Sequence, residues 1–175
     1  WRKLSFFGET SFSDNFKFGT VNGIAWHADP KLDLLFVYRD YDKAFQSLYS
    51  AGFGESGDNT SERGMYFGLR ARLSKRISAT AYYDQFQYKH FKYLTNDRSE
   101  GREVFAQVNF KINSRASAYV RFRNKITERN TKEDVNGIDG QVKLNKTNLR
   151  FHYDQRINSQ LSLKYRIEWT NYLFG

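Results

Sequence analysis

The sequence predicts an all-β chain, an antiparallel up-and-down sheet of about nine strands, of the transmembrane barrel type found in outer membranes. Three observations predict it. Apolar and polar residues alternate with a period of two, near-identical tight turns join the alternating segments, and long polar segments separate those turns.

Met65, Phe67, Leu69, Ala71 and Leu73 alternate with Tyr66, Gly68, Arg70 and Arg72, which is the signature of a strand with two unlike faces. The pattern returns in Ile77, Ala79, Ala81 and Tyr83, and again in Val104, Ala106, Val108, Phe110 and Ile112. Ala116, Ala118, Val120 and Phe122 repeat it, as do Leu149, Phe151 and Tyr153, then Leu161, Leu163, Tyr165, Ile167 and Trp169. Phe18, Ile24 and Trp26, followed by Leu32, Leu34, Phe36 and Tyr38, carry it less cleanly in the first quarter of the chain. No stretch of useful length has a helical period.

The connections fix the topology. Leu73-Ser74-Lys75-Arg76-Ile77, Ile112-Asn113-Ser114-Arg115-Ala116 and Ile157-Asn158-Ser159-Gln160-Leu161 are near-copies of one hairpin, and Ala28-Asp29-Pro30-Lys31 sets the only proline at a turn position. Between them lie polar segments at about 40–61, 89–101 and 128–146, expected to be long loops at the opposite end of the sheet. Residues 1–175 read as a single domain. The segments around 62–73, 76–88, 102–112, 116–127, 147–157 and 160–172 should then be antiparallel neighbours in one meander.

Composition narrows the class. With 16 Phe and 12 Tyr the chain carries too much apolar bulk for a solvated coil. It has no cysteine, which excludes a disulfide framework, a thiolate zinc site and a cysteine nucleophile. No apolar run is long enough for a transmembrane helix, whereas a strand that faces lipid with alternate residues needs none. The start at Trp1, without Met or a signal-peptide pattern, suggests a processed chain or a piece of a longer one. A soluble barrel or sandwich is the competing fold, and the two faces discriminate. Arginines and lysines stand mid-strand on the polar face, while the other face is Leu, Ile, Val, Ala and Phe and ends in Trp26, Tyr83 and Trp169, as an interfacial girdle would.

Most chemical motifs dissolve on inspection. Gly52-Phe53-Gly54-Glu55-Ser56-Gly57 matches G-x-G-x-x-G by letter but lacks a strand before it and a helix after it. His27, His90 and His152 are scattered, so no metal ligand set forms, and His152 with Asp154 reads as a lumenal hydrogen bond. No catalytic, cofactor-binding or metal site is expected, and no enzyme activity. One constellation has a direction: Arg121, Arg123 and Lys125 project the same way from one strand, as do Arg70 with Arg72, Arg150, and Lys164 with Arg166 on others. The net charge is +9, and acidic residues of the same parity are fewer. These eight residues are the candidate anion-facing lumen wall.

Phe7-Gly8-Glu9, Val21-Asn22-Gly23, Asp29-Pro30, Tyr38-Arg39-Asp40-Tyr41, Leu48-Tyr49, Phe53-Gly54-Glu55, the run Glu62 to Leu69 and Ala81-Tyr82-Tyr83-Asp84 carry a resemblance. Over most of residues 5–170 the chain resembles the barrel region of the Bacteroidota helix-hairpin-helix (competence-type) outer-membrane proteins. It departs from the family pattern at residues 88–93, Tyr-Lys-His-Phe-Lys-Tyr, where a proline and a tryptophan would be expected. The resemblance implies a barrel fragment without the N-terminal repeats or the last strands. It also implies an outer-membrane location, with lipid and lipopolysaccharide as surroundings, other envelope proteins as partners and nucleic acid as a further candidate. The expected function is that of a non-enzymatic channel, anchor or component of an envelope assembly. A soluble basic β-protein binding nucleic acid or polyanions is the alternative. Barrels of this kind close with an even strand number, so about nine strands predict an incomplete barrel with a bare edge.

Overall fold

The computed structural model of the protein describes residues 3–45, 52–55, 60–90, 98–135 and 138–175. They form nine strands: β1 (Leu4–Phe12), β2 (Phe18–Asp29), β3 (Leu32–Tyr41), β4 (Glu62–Arg72), β5 (Ile77–Tyr88), β6 (Ser99–Lys111), β7 (Ala116–Val135), β8 (Ile138–Arg156) and β9 (Ser162–Phe174). All belong to one sheet in chain order, every neighbouring pair antiparallel. The six-strand meander expected from periodicity is present. Among the described residues there is no helix, and β1 and β9 each have one neighbour, so the sheet is not closed.

The near-copies of the hairpin have a common cause. The first residue past the last apolar position carries a short polar side chain that accepts backbone N–H groups of its own turn. Ser74 Oγ takes those of Arg76 and Ile77, both at 3.1 Å, and Asn113 Oδ1 takes that of Arg115 at 2.8 Å. Asn158 Oδ1 accepts from Gln160 at 2.9 Å and Leu161 at 2.8 Å. At the fourth turn Asp29 does the same for Lys31, at 2.9 Å.

Two expectations about connections need correction. The segment 128–146 is not a long loop, because β7 continues to Val135 and β8 begins at Ile138, pairing down to Val135↔Ile138. This two-stranded ribbon projects beyond the rest of the sheet, since β6 pairs with β7 only as far as Thr127 and β9 with β8 only from Leu144. Nor is the end of the sheet opposite the tight turns made of long loops throughout: β1 and β2 are joined there by only Ser13–Lys17, closed by the Ser13 N–H to Lys17 carbonyl bond at 2.9 Å.

The ladder registers carry a regular stagger. With Leu69 as reference, pairing aligns Trp26, Leu34, Leu69, Ala81, Ala106, Phe122, Leu149 and Trp169 in one transverse row. The β2–β3 turn closes at Leu32, two residues below that row, and the β4–β5 turn at Leu73 and Ile77, four below. The β6–β7 turn closes six below at Ile112 and Ala116, and the β8–β9 turn eight below at Ile157 and Leu161. The turns descend by one residue per strand. With a rise of about 3.3 Å per residue against about 4.8 Å between strands, that stagger tilts the strands by roughly 35° from the perpendicular to the line of turns, the tilt a closed barrel requires of its strands against its axis.

Register also sorts the faces. The row above and its neighbours, Phe36-Phe67-Tyr83-Val104 and Ala79-Val108-Val120-Phe151-Ile167, make one face apolar. That face is exposed: Leu69 is 38% accessible, Val120 41% and Trp169 56%. The opposite face holds the buried residues, Val37, Arg39, Tyr41, Glu62, Asp84, Phe86, Tyr88 and Glu103, with Phe45 from the segment after β3 packed upon it. One cleft is lined on this face by residues from β4 to β8, so the polar face is the concave one.

Because the chain lacks cysteine, introduced pairs report register directly. Val108→Cys with Val120→Cys, directly opposite in the β6–β7 ladder, should form a disulfide under mild oxidation; Val108→Cys with Arg121→Cys should not. Reversal of that preference would show the ladder to be slipped by one residue.

Candidate functional site

The polar face divides into two halves along the strands. The half toward the long connections is filled. Arg39 stands on β3 two residues beyond Val37 and, like Glu62 on β4, is wholly inaccessible to solvent. Its Nε donates to Glu62 Oε1 at 2.6 Å, and its two terminal nitrogens donate to the Asp84 carboxylate on β5 at 2.8 and 3.1 Å. Gly64 makes room for this, since a Cβ there would lie 2.5 Å from the Arg39 guanidinium carbon. A buried guanidinium facing two carboxylates has its donors met in three directions, which offsets the cost of removing it from water.

Residues 52–55 fold back onto the same half. The Glu55 backbone N–H donates to both Glu62 oxygens, at 3.1 and 3.0 Å, and Tyr41 Oη donates to the Phe53 carbonyl at 2.9 Å. The Phe53 ring lies 5.3 Å from the Arg39 guanidinium and edge-on to Tyr66. Lys125, four strands from β3, donates to the Glu55 carboxylate. Glu103 accepts a two-pronged bond from Arg123, both arms at 2.7 Å, and a further one from Tyr82 Oη. A file of rings crosses the sheet beside these charges. Tyr66 and Tyr82 lie 5.2 Å apart, Tyr82 stacks on Phe105 at 4.7 Å, and Tyr119 stacks on His152 at 5.0 Å, with Arg121 over both Phe105 and Tyr119.

All eight expected wall residues share this face, but not one role. Arg123 and Lys125 are bound into the filled half, Arg150 is paired in two bonds with Glu168 at 2.9 and 3.0 Å, and Lys164 lies 3.8 Å from Asp154. Arg121 donates to the neutral Gln107 at 2.7 Å. Arg70, Arg72 and Arg166 have no carboxylate within ion-pair distance among the described residues. The sequence reading missed Arg39, Glu62 and Glu55. The available signal was an arginine at the core-facing parity of a strand that otherwise reads Leu35, Val37, Tyr41.

The expected His152–Asp154 hydrogen bond is absent. The His152 ring is instead turned onto Tyr119, stacked at 5.0 Å, and its Nδ1 has no hydrogen-bond partner. His27 bonds Asp33 at 2.6 Å, and no cluster of metal-ligating side chains occurs among the described residues. Of the glycine-rich segment, residues 52–55 form neither strand nor helix, while Ser56 and Gly57 lie outside the described residues.

Replacing Arg39 with Met would strand two buried carboxylates. Arg39→Met should destabilise the fold by about 3–5 kcal/mol in urea titration, and adding Glu62→Leu and Asp84→Leu should recover most of the loss. A loss below about 1 kcal/mol for the single change would mean that water reaches the pair. The chain matches no family model, no curated protein and no solved structure.

Proposed function

We propose that the chain is part of a non-enzymatic outer-membrane β-barrel whose polar face lines the lumen, serving as channel wall or anchor within an envelope assembly, in the manner of the Bacteroidota helix-hairpin-helix proteins it resembles. The observation that carries this reading is the exposed apolar face and its limits. Along β4, β8 and β9 the band runs from Leu73 to Met65, Ile157 to Leu149 and Leu161 to Trp169, nine residues and eight rises each. At a tilt of about 35° that is roughly 22 Å of height, close to the lipid-facing band of such barrels.

Polar edges bound it on both sides. Above it, on the same face, Asp40 is paired with Arg63 at 2.6 Å and with Lys89, while Lys143 lies 4.0 Å from Glu100 and 3.9 Å from Glu128. Below it are the Ser and Asn turns. A soluble sheet would cover these leucines and phenylalanines with a second layer, and no described strand packs across this face, which stays exposed. The reading entails that β1 and β9 pair with further strands, since bare backbone groups in lipid cost several kcal/mol each. Outer-membrane lipid and lipopolysaccharide are then the partners of the apolar face, and other envelope proteins or nucleic acid those of the lumen side.

Membrane flotation and detergent dependence test the reading. The protein should float with lipid, resist salt extraction and need detergent for solubility. Val120→Arg should cost about 2–4 kcal/mol in lipid. A monomeric protein soluble without detergent, with Val120→Arg neutral, would overturn the membrane reading in favour of the soluble polyanion-binding one.

A further inference from the structure

The half of the polar face toward the tight turns is built differently from the half just described. An open cleft of about 1130 Å³ spans β4 to β8 there, and its lining includes Arg70, Arg72, Lys75, Arg76, Lys111, Arg115 and Arg156 against one carboxylate, Asp154. Asp154 already has Lys164 beside it. None of the seven cations has an acidic partner within 4.0 Å among the described residues, whereas the cleft in the filled half, about 590 Å³, sets Glu55 and Glu168 from this face among its cations.

We infer that this turn-end cleft is a binding site for soluble ligands that carry several phosphate groups in a row. Five of the seven cations are arginines, whose planar forks match phosphate oxygens in pairs. Arg72 and Arg156 lie on strands four places apart, so the charges extend over nearly 20 Å, further than one phosphate can reach. Unpaired like charges gathered in a concave wall repel each other and raise the local concentration of anions. The neighbouring rings do not offer stacking platforms. Tyr82 and Phe105 cover each other's faces, Tyr119 covers His152, and Arg121 caps Phe105 and Tyr119, so the site reads phosphates and not bases.

The test is calorimetry on the purified protein in a nonionic detergent with tripolyphosphate, independent of membrane insertion, so that this inference and the membrane reading can fail separately. Tripolyphosphate should bind saturably, tighter than orthophosphate and more weakly as salt rises. The variant Arg72→Gln, Arg76→Gln, Lys111→Gln, Arg156→Gln should lose about tenfold or more in affinity. Removing the same number of charges elsewhere, by Lys3→Gln, Lys17→Gln, Lys43→Gln and Arg102→Gln, should change it by less than about twofold. Should the first variant not fold, Arg72→Lys with Arg156→Lys keeps the charge, removes two forks and should still weaken binding several-fold. Equal losses in both charge-removal variants, no saturable binding, or tighter binding per phosphate by a single-stranded oligonucleotide would overturn the inference.

Discussion

Register is the constraint on which the rest of this sheet depends. Side chains alternate between faces with a period of two, so a slip of one residue in any ladder would carry an arginine row into the apolar band and a leucine row into the charged wall. The two residue sets are incompatible enough that the slipped sheet would be penalised on both faces at once. The Ser and Asn turns act to the same end, because each fixes its hairpin by bonding its own backbone, independently of the strands it joins. Local turn chemistry and global patterning therefore select the same ladder, the agreement across levels expected of a well-specified fold.

The division of the polar face into a paired half and an unpaired half follows from where acidic residues fall along the strands. Glu62, Asp84 and Glu103 stand toward the long connections, where each meets a guanidinium and loses its exposure to solvent. Toward the turns the same parity is occupied by Arg72, Lys111 and Arg156 opposite Ser78, Ser117 and Ser162, which carry no charge to offset theirs. One half gains rigidity from ion pairs held away from water, while the other keeps its charges available.

The strands, their antiparallel order and the two faces were legible in the sequence because period-two alternation is a local signal that survives without knowledge of neighbours. The extent of β7 and β8 was not, since polar residues such as Glu128, Asn130, Lys143 and Asn145 read as loop when a ribbon has no apolar face to advertise it. The wall arginines were identified by parity alone, but their partners were not. Arg39 meets Glu62 and Asp84 across 23 and 45 residues of chain, and only the register of two ladders brings them together. The fold-back of residues 52–55 is equally non-local: glycines announce a turn without saying which surface receives it.

That fold-back has a mechanical meaning. The backbone of each described strand packs only against the strands beside it, and few side chains reach further, Arg39 to Asp84 across β4 among them, so the sheet is an arc stiffened mainly by neighbour contacts. Glu55 is held at one end by Glu62 on β4 and at the other by Lys125 on β7, which makes it a chord drawn across that arc. A chord resists flattening in a way that no ladder bond can, because its tension acts along the line that shortens as the arc curls. The pinned peptide therefore ties β4 to β7 across the concave side and opposes flattening of the wall between them.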